Sequence, residues 1–170
     1  MKTIIRQKVR NEKGMTLIEL LAVIVILAII ALIAIPAISN IISNSKSKAI
    51  LSDAAIIIKA AKTAVADGHC TLEKSRNLKC DEKVLEQYVE QTNHKLVEGD
   101  MVLRYYYPEE NKDIYSINFS EFNNLNKKYS DLLKDASVSG KDDIDEATEE
   151  EIATAMQGKK VDPKDNPNKP

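Results

Sequence analysis

The stretch Lys13-Gly14-Met15-Thr16-Leu17-Ile18-Glu19 leads directly into residues 20–38, a run that holds no charged side chain. The 19 residues of that run, at about 1.5 Å each, make a helix about 28 Å long, close to the thickness of bilayer hydrocarbon. It is long enough to cross a membrane. Glu19 stands at its N-terminal edge, within the apolar segment that begins at Met15. A carboxylate inside hydrocarbon costs roughly 3 kcal/mol or more, so it needs either a positive partner or a route to water. Snorkelling toward the headgroups beside Lys13 is the simplest such route.

Working outward toward the start, Lys2, Arg6, Lys8, Arg10 and Lys13 stand against Glu12 alone. Basic residues this close to an apolar span hold that end in the cytoplasm, which places the rest of the chain outside. A secretory signal has a small-x-small cleavage site after its apolar region. Here Ala28, Ala31, Ala34 and Ala37 recur at every third position instead, so the apolar helix is expected to be retained. Small residues at that spacing also let helices approach closely.

Lys-Gly before Met-Thr-Leu-Ile-Glu, then a long apolar helix containing Pro36, resembles the N-terminus of type IV prepilins and pseudopilins. The resemblance covers about the first 45 residues. It implies a dedicated peptidase that cuts between Gly14 and Met15, methylation of the new Met15 amine, and an assembly role for Glu19. Pro36 falls where that family usually has a proline. Met15 stands where phenylalanine is commoner, and Ala28 where glycine is frequent. A cut after Gly14 creates an α-ammonium four residues before Glu19. At 4 Å such a pair interacts by ~4 kcal/mol at an effective dielectric of 20, enough to offset the burial of the carboxylate. Geometry alone leaves open whether the amine belongs to the same chain or a neighbour; the resemblance implies a neighbour.

The chain has 24 Lys+Arg and 26 Asp+Glu, a net charge of −2. Removal of residues 1–14, with five basic and one acidic side chain, takes that to −6. No basic surface survives to argue for nucleic acid as the main partner. With two phenylalanines, six tyrosines and no tryptophan, one small core is expected. Five segments follow: a leader at 1–14 that is removed, a transmembrane or filament-core helix at 15–38, its amphipathic continuation at 39–67, a small head at 68–140, and a tail at 141–170.

From Ser39 the helix turns polar, with Ser39, Asn40, Ser43, Asn44, Ser45 and Ser47 beside Lys46 and Lys48, which reads as emergence into water. Ile50, Ala54, Ile57, Ile58, Ala61 and Val65 then recur at three- and four-residue steps with Lys59 and Lys62 opposite, an amphipathic helix. Asp67-Gly68 stops it. Pro36 removes one helical hydrogen bond, so a bend is expected there. A helix over 15–66 follows.

Cys70 and Cys80 are the only cysteines; an even pair in an exported domain points to a disulfide. A metal site built from His69, Cys70, Cys80 and His94 is the alternative, but the C-x-x-C pairs of structural zinc sites are missing. Asp81 can cap a short helix with Val84, Leu85, Tyr88 and Val89 inward. Residues 94–98, Gly99-Asp100 and residues 101–107 read as a hairpin. Met101, Leu103, Tyr105 and Tyr107 share one face, and Val102, Arg104 and Tyr106 the other. Residues 114–119 alternate again, with Tyr115, Ile117 and Phe119 together. The expectation is α+β: a long N-terminal α-helix packed against a small, three-stranded antiparallel β-sheet, similar to type IV pilins. The tyrosines read as sheet packing, with a ligand-binding or adhesive surface as the sharper alternative.

Phe122, Leu125, Tyr129, Leu132, Leu133 and Ala136 have helical spacing, ended by Gly140. Seven acidic residues lie in 142–151, and Thr148 can cap a last helix through Met156. Some pseudopilins bind calcium, and Asp143 and Asp145 alternate here, but the glycine and spacing of an EF-hand loop are missing. Residues 159–170 have the composition of a disordered tail.

No Gly-rich phosphate loop, G-x-S-x-G or H-E-x-x-H motif occurs, so no catalytic residue, cofactor or metal is expected. The leading expectation is a structural pilin subunit of a surface filament, with a pseudopilin of a competence or secretion system as the alternative. Its expected partners are copies of itself, other pilins, the prepilin peptidase, the assembly ATPase and membrane platform, and the membrane before assembly. A single-pass membrane protein with a ligand-binding external head is the alternative of a different class.

Overall fold

A single helix, α1, runs from Leu17 to Ala66 with Pro36 inside it. No glycine interrupts it. It begins two residues later than expected because Thr16 takes the capping position. It stops where Gly68 adopts φ +75°, which lets Gly68 N–H donate to Val65 O (3.1 Å) and His69 N–H to Ala64 O (3.0 Å). This is the paired-bond C-cap that glycine favours. The computed structural model describes residues 15–73, 76–134 and 146–160. The chain divides into two compact units, Met1–Ile41 and Ile42–Pro170.

In the second unit, α1 buries Ile50, Leu51, Ala54, Ile57, Ile58, Ala61 and Ala64. That stripe repeats at three and four residues and so lies on one side of the helix. Against it lies an antiparallel sheet of five strands among the described residues: β1 (Thr71–Leu72), β2 (Leu78–Asp81), β3 (Met101–Tyr107), β4 (Lys112–Asn118) and β5 (Ala147–Thr148), adjacent in chain order. The register places Cys80 opposite Val102, Val102 opposite Ile117 and Ile117 opposite Ala147. All four are buried and join the α1 stripe in one core. Each fully buried aliphatic side chain in such a core contributes roughly 1.5–3 kcal/mol.

Short helices close the edges. In α2 (Glu82–Tyr88), Asp81 caps as expected and accepts from Val84 N–H. In α4 (Glu149–Met156), Thr148 and Glu151 form a reciprocal capping box. Burial raises the pKa of Glu151, while its hydrogen bonds to Thr148 pull the other way. A 3-10 turn at Ser120–Asn124 and helix α3 (Lys127–Lys134) carry Phe122, Tyr129 and Leu133 into the core.

Six expectations need correction. The sheet has five strands where three were expected, because β2 and the two-residue edges are too short to show alternation. The neighbour of β3 is β2, and residues 94–98 form no strand: the amides of Asn93 and His94 bond to a buried carboxylate, and Val97 N–H donates to Asp100 Oδ2. The helix expected from Phe122 breaks at Leu125. There Asn126 Oδ1 accepts from Tyr129 N–H (3.2 Å), capping a new helix. Ser47 is buried where solvent was expected, accepting from Asn126 N–H at 2.9 Å. Lys62 lies beside the sheet, 2.6 Å from Glu149 and 5.2 Å from the centre of the Tyr115 ring. The tail expected to start at 159 is still engaged there, since Lys159 N–H donates to Thr154 O. Ala136, Gly140, Asp143, Asp145 and residues 161–170 lie outside the described residues.

Cys70 and Cys80 form a disulfide with Cα atoms 4.6 Å apart. It ties the segment after α1 to the second strand, with Cys80 Sγ packed 4.0 Å from Ala61 O. The two cysteines are separated by 10 positions, and a loop of that size restrains the unfolded chain by about 2.7 kcal/mol. Replacing both by alanine is expected to lower stability by about that amount. Urea unfolding of the detergent-solubilised full chain measures it, and an unchanged midpoint would contradict the assignment.

Candidate functional site

In the first unit, the described part begins with Met15 and Thr16, and Gly14 lies outside it. Thr16 and Glu19 bond reciprocally. Thr16 N–H donates to Glu19 Oε2 at 2.8 Å, Thr16 Oγ1 donates to the same oxygen at 2.9 Å, and Glu19 N–H donates to Thr16 Oγ1 at 3.3 Å. This is a capping box: the Thr-x-x-Glu spacing satisfies amides that the first helical turn leaves without partners. The carboxylate thereby also lies at the positive end of the helix dipole. In the sequence Thr16 stands out only as part of the motif. Its spacing from Glu19 was the signal that would have singled it out.

The helix that starts at Leu17 is long and apolar enough to cross a membrane. Its side chains are exposed, from Leu17 and Ile18 through Leu32, Ile33 and Ile35 to Ile38. Apolar patches larger than a few hundred Å² on a lone chain mark a surface covered by lipid or by other proteins. Met15, next to the expected cut, is also exposed.

The other residues singled out from the sequence are not gathered into one site. Cys70 and Cys80 are bonded to each other, so neither offers a thiolate to a metal. His69 Nδ1 contacts the Tyr88 hydroxyl, which donates to Asp67 Oδ2 at 3.0 Å. His94 instead lies against Asp53, 14 positions before the Asp67 that Tyr88 joins to His69. Among the described residues no group of three or more His, Cys, Asp or Glu side chains is placed to hold a metal ion.

The tyrosines of β3 are half-buried and separately engaged. Tyr106 has the guanidinium groups of Arg76 and Arg104 at 6.0 and 5.8 Å from its ring centre. Tyr105 donates to Glu146 Oε1 at 3.1 Å, an oxygen that also accepts from Ser116. Burial, and then the Glu146 charge, push the Tyr105 pKa up to about 12. The folded state therefore holds this proton more tightly than the unfolded one. The stabilisation is complete below the ordinary value of about 10 and is lost as pH rises through about 12. Tyr105→Phe should remove this alkaline dependence, worth about 1 kcal/mol after allowance for solvent screening of a half-exposed group. Unfolding midpoints compared across that alkaline range test it; parallel curves for the two proteins would contradict it.

No match was found among curated proteins or among solved structures. A family model described as the prokaryotic N-terminal methylation motif matches residues 9–35, which include Gly14, Met15, Thr16 and Glu19 and end one residue before Pro36. That motif is a structural, pilin-type element rather than an enzyme family, and it implies processing by a prepilin peptidase and assembly with other pilins. The chain thus carries, at residues 9–35, the N-terminal methylation motif that is the hallmark of type IV pilin and pseudopilin precursors.

Proposed function

We propose that this chain is the precursor of a structural pilin subunit. It is cut between Gly14 and Met15, methylated at Met15, and polymerised through its N-terminal helix into a surface filament. The observation that carries this reading is the matched motif placed at the start of an apolar helix whose side chains have no cover in the single chain. Before assembly, lipid covers those side chains, and the chain is a single-pass protein of the cytoplasmic membrane. After assembly, the helices of neighbouring copies cover them. Little apolar area meets water in that exchange, so the assembly ATPase and its membrane platform can drive it without a large desolvation barrier.

On this reading residues 1–14 are the leader, 15–38 the anchor and filament core, 39–67 the helix that backs the head, and 68–140 the head, which β5 and α4 of the 141–170 segment complete. Glu19 pairs with the α-ammonium of a neighbouring subunit and sets the axial register of the stack. Pro36, which has no amide hydrogen, is where we place a bend. The disulfide and the buried strand rows suit a head that must hold its shape outside the cell. Pseudopilins of competence and secretion systems use the same motif, and the length of the fibres distinguishes them from pili.

Electron microscopy of cells labelled against the head tests the proposal. Labelled fibres that vanish when the prepilin peptidase is removed support it. Label confined to the membrane, with the peptidase without effect, would favour a simple anchored head and overturn it.

A further inference from the structure

Four lysines gather around one junction between α1 and α3. Asn126 ties the start of α3 to α1: its N–H donates to Ser47 Oγ at 2.9 Å, and its Nδ2 donates to Ser43 Oγ at 3.2 Å and to Asn44 Oδ1 at 2.9 Å. Lys127 and Lys128, the next two residues, are thereby held beside residues 43–47, while Lys46 and Lys48 flank the buried Ser47. All four lysines are exposed. None is paired with a carboxylate among the described residues. Lys128 Nζ lies instead 5.6 Å from the centre of the neutral Tyr129 ring.

Two features set this cluster apart from an ordinary solvated face. Lysines in the first turn of α3 stand at the positive end of its dipole, where they weaken the helix, and no acidic residue offsets them there. No acidic residue occurs between Leu20 and Ser52 either, and Asp53 is taken up by Asn93 and His94. A mature chain of net charge −6 thus collects positive charge at the place where its apolar run ends. The last exposed apolar side chains of that run are Ile41 and Ile42, and Lys46 follows four residues later, about 6 Å along α1. Headgroups fill roughly 5–8 Å on each side of a bilayer.

We propose, resting on the anchored-precursor reading above, that Lys46, Lys48, Lys127 and Lys128 form a docking surface for anionic lipid on the outer face of the membrane. Each ammonium meets the phosphates of negatively charged headgroups, whose surface potential attracts nearby lysines and is screened by salt. The bonds of Asn126 make the two helices act together, so the head is seated in one orientation until the subunit leaves for the filament.

The full chain reconstituted in vesicles of phosphatidylcholine alone, or of phosphatidylcholine and phosphatidylglycerol mixed three to one, tests this. A neutral, membrane-impermeant acylating reagent modifies the outward-facing lysines, and mass spectra of the digested chain read each of them. In the anionic vesicles, labelling of the four should fall about fivefold relative to the exposed Lys83 and Lys112. Molar salt should reverse that fall. Equal labelling in both lipids, protection that salt leaves in place, or protection of Lys46 and Lys48 without Lys127 and Lys128 would each overturn the proposal. An alkaline carbonate wash separates the two layers. A chain that washes off the vesicles is not anchored, and both readings fail; one that stays but labels alike in both lipids loses only the docking surface.

Discussion

Glu19→Ala is expected to leave the chain inserted and cut after Gly14 but to reduce surface filament at least about a hundredfold. In the proposed filament core the α-ammonium of Met15 lies among helices whose neighbouring side chains are Leu, Ile, Val and Ala. Removing one partner of a buried pair leaves the other charge uncompensated, at a cost of about 3–5 kcal/mol. Each 1.4 kcal/mol is a factor of ten, so every subunit added meets a penalty of roughly two to three and a half orders of magnitude. Insertion should not suffer, because alanine in hydrocarbon is cheaper than a carboxylate. Sheared filament measured against membrane-bound mature protein gives the ratio. A parent-like ratio would show that Glu19 needs no amine.

Asp53→Ala should cause the largest loss of stability in the second unit. Asp53 is buried, with about 1 % of its surface exposed, on the side of α1 that faces the core. It accepts from Asn93 N–H at 2.9 Å, Asn93 Nδ2 at 3.1 Å and His94 N–H at 3.0 Å, with His94 Nδ1 at 2.7 Å. Alanine would strand two backbone amides and two side-chain groups together. Leaving buried donors without partners costs about 1–3 kcal/mol each, part of it recovered by water entering from the half-exposed loop, so a net loss of about 3 kcal/mol is expected. For a head of this size that lowers the melting temperature by roughly 10–20 °C. Asp53→Asn, which keeps one accepting oxygen, should cost less. Thermal unfolding in detergent checks both; a shift of only about 2 °C for Asp53→Ala would mean that the loop does not depend on this carboxylate.

Asp53 also shows where the sequence stopped being readable. The stripe of Ile50, Ala54, Ile57, Ile58 and Ala61 was legible because helix periodicity is a local signal, and these residues are buried as that period requires. Asp53 sits on the same stripe, yet nothing nearby in sequence announces its partners, which lie 40 and 41 positions on at Asn93 and His94. A charged residue at a buried period was the available clue. Ser47 and Asn126 were hidden in the same way, by a pairing across 79 positions. The caps at Asp81 and Thr148 were legible because capping joins residues three apart. The strand expected at 94–98 failed because alternation says which residues share a face but not which strand lies alongside. The Thr16–Glu19 box was written in the sequence as Thr-x-x-Glu and was obscured by the motif that contains it.

The proposed assembly depends on proteolysis exposing an α-ammonium that a carboxylate on a neighbouring helix can pair with. Intact mass and fragment spectra of the chain taken from sheared surface material test this most directly. The predicted result is a mature N-terminus at Met15 carrying one methyl group on its α-nitrogen. Surface material that begins at Met1, or at a position beyond the apolar helix near Ser47, would contradict it.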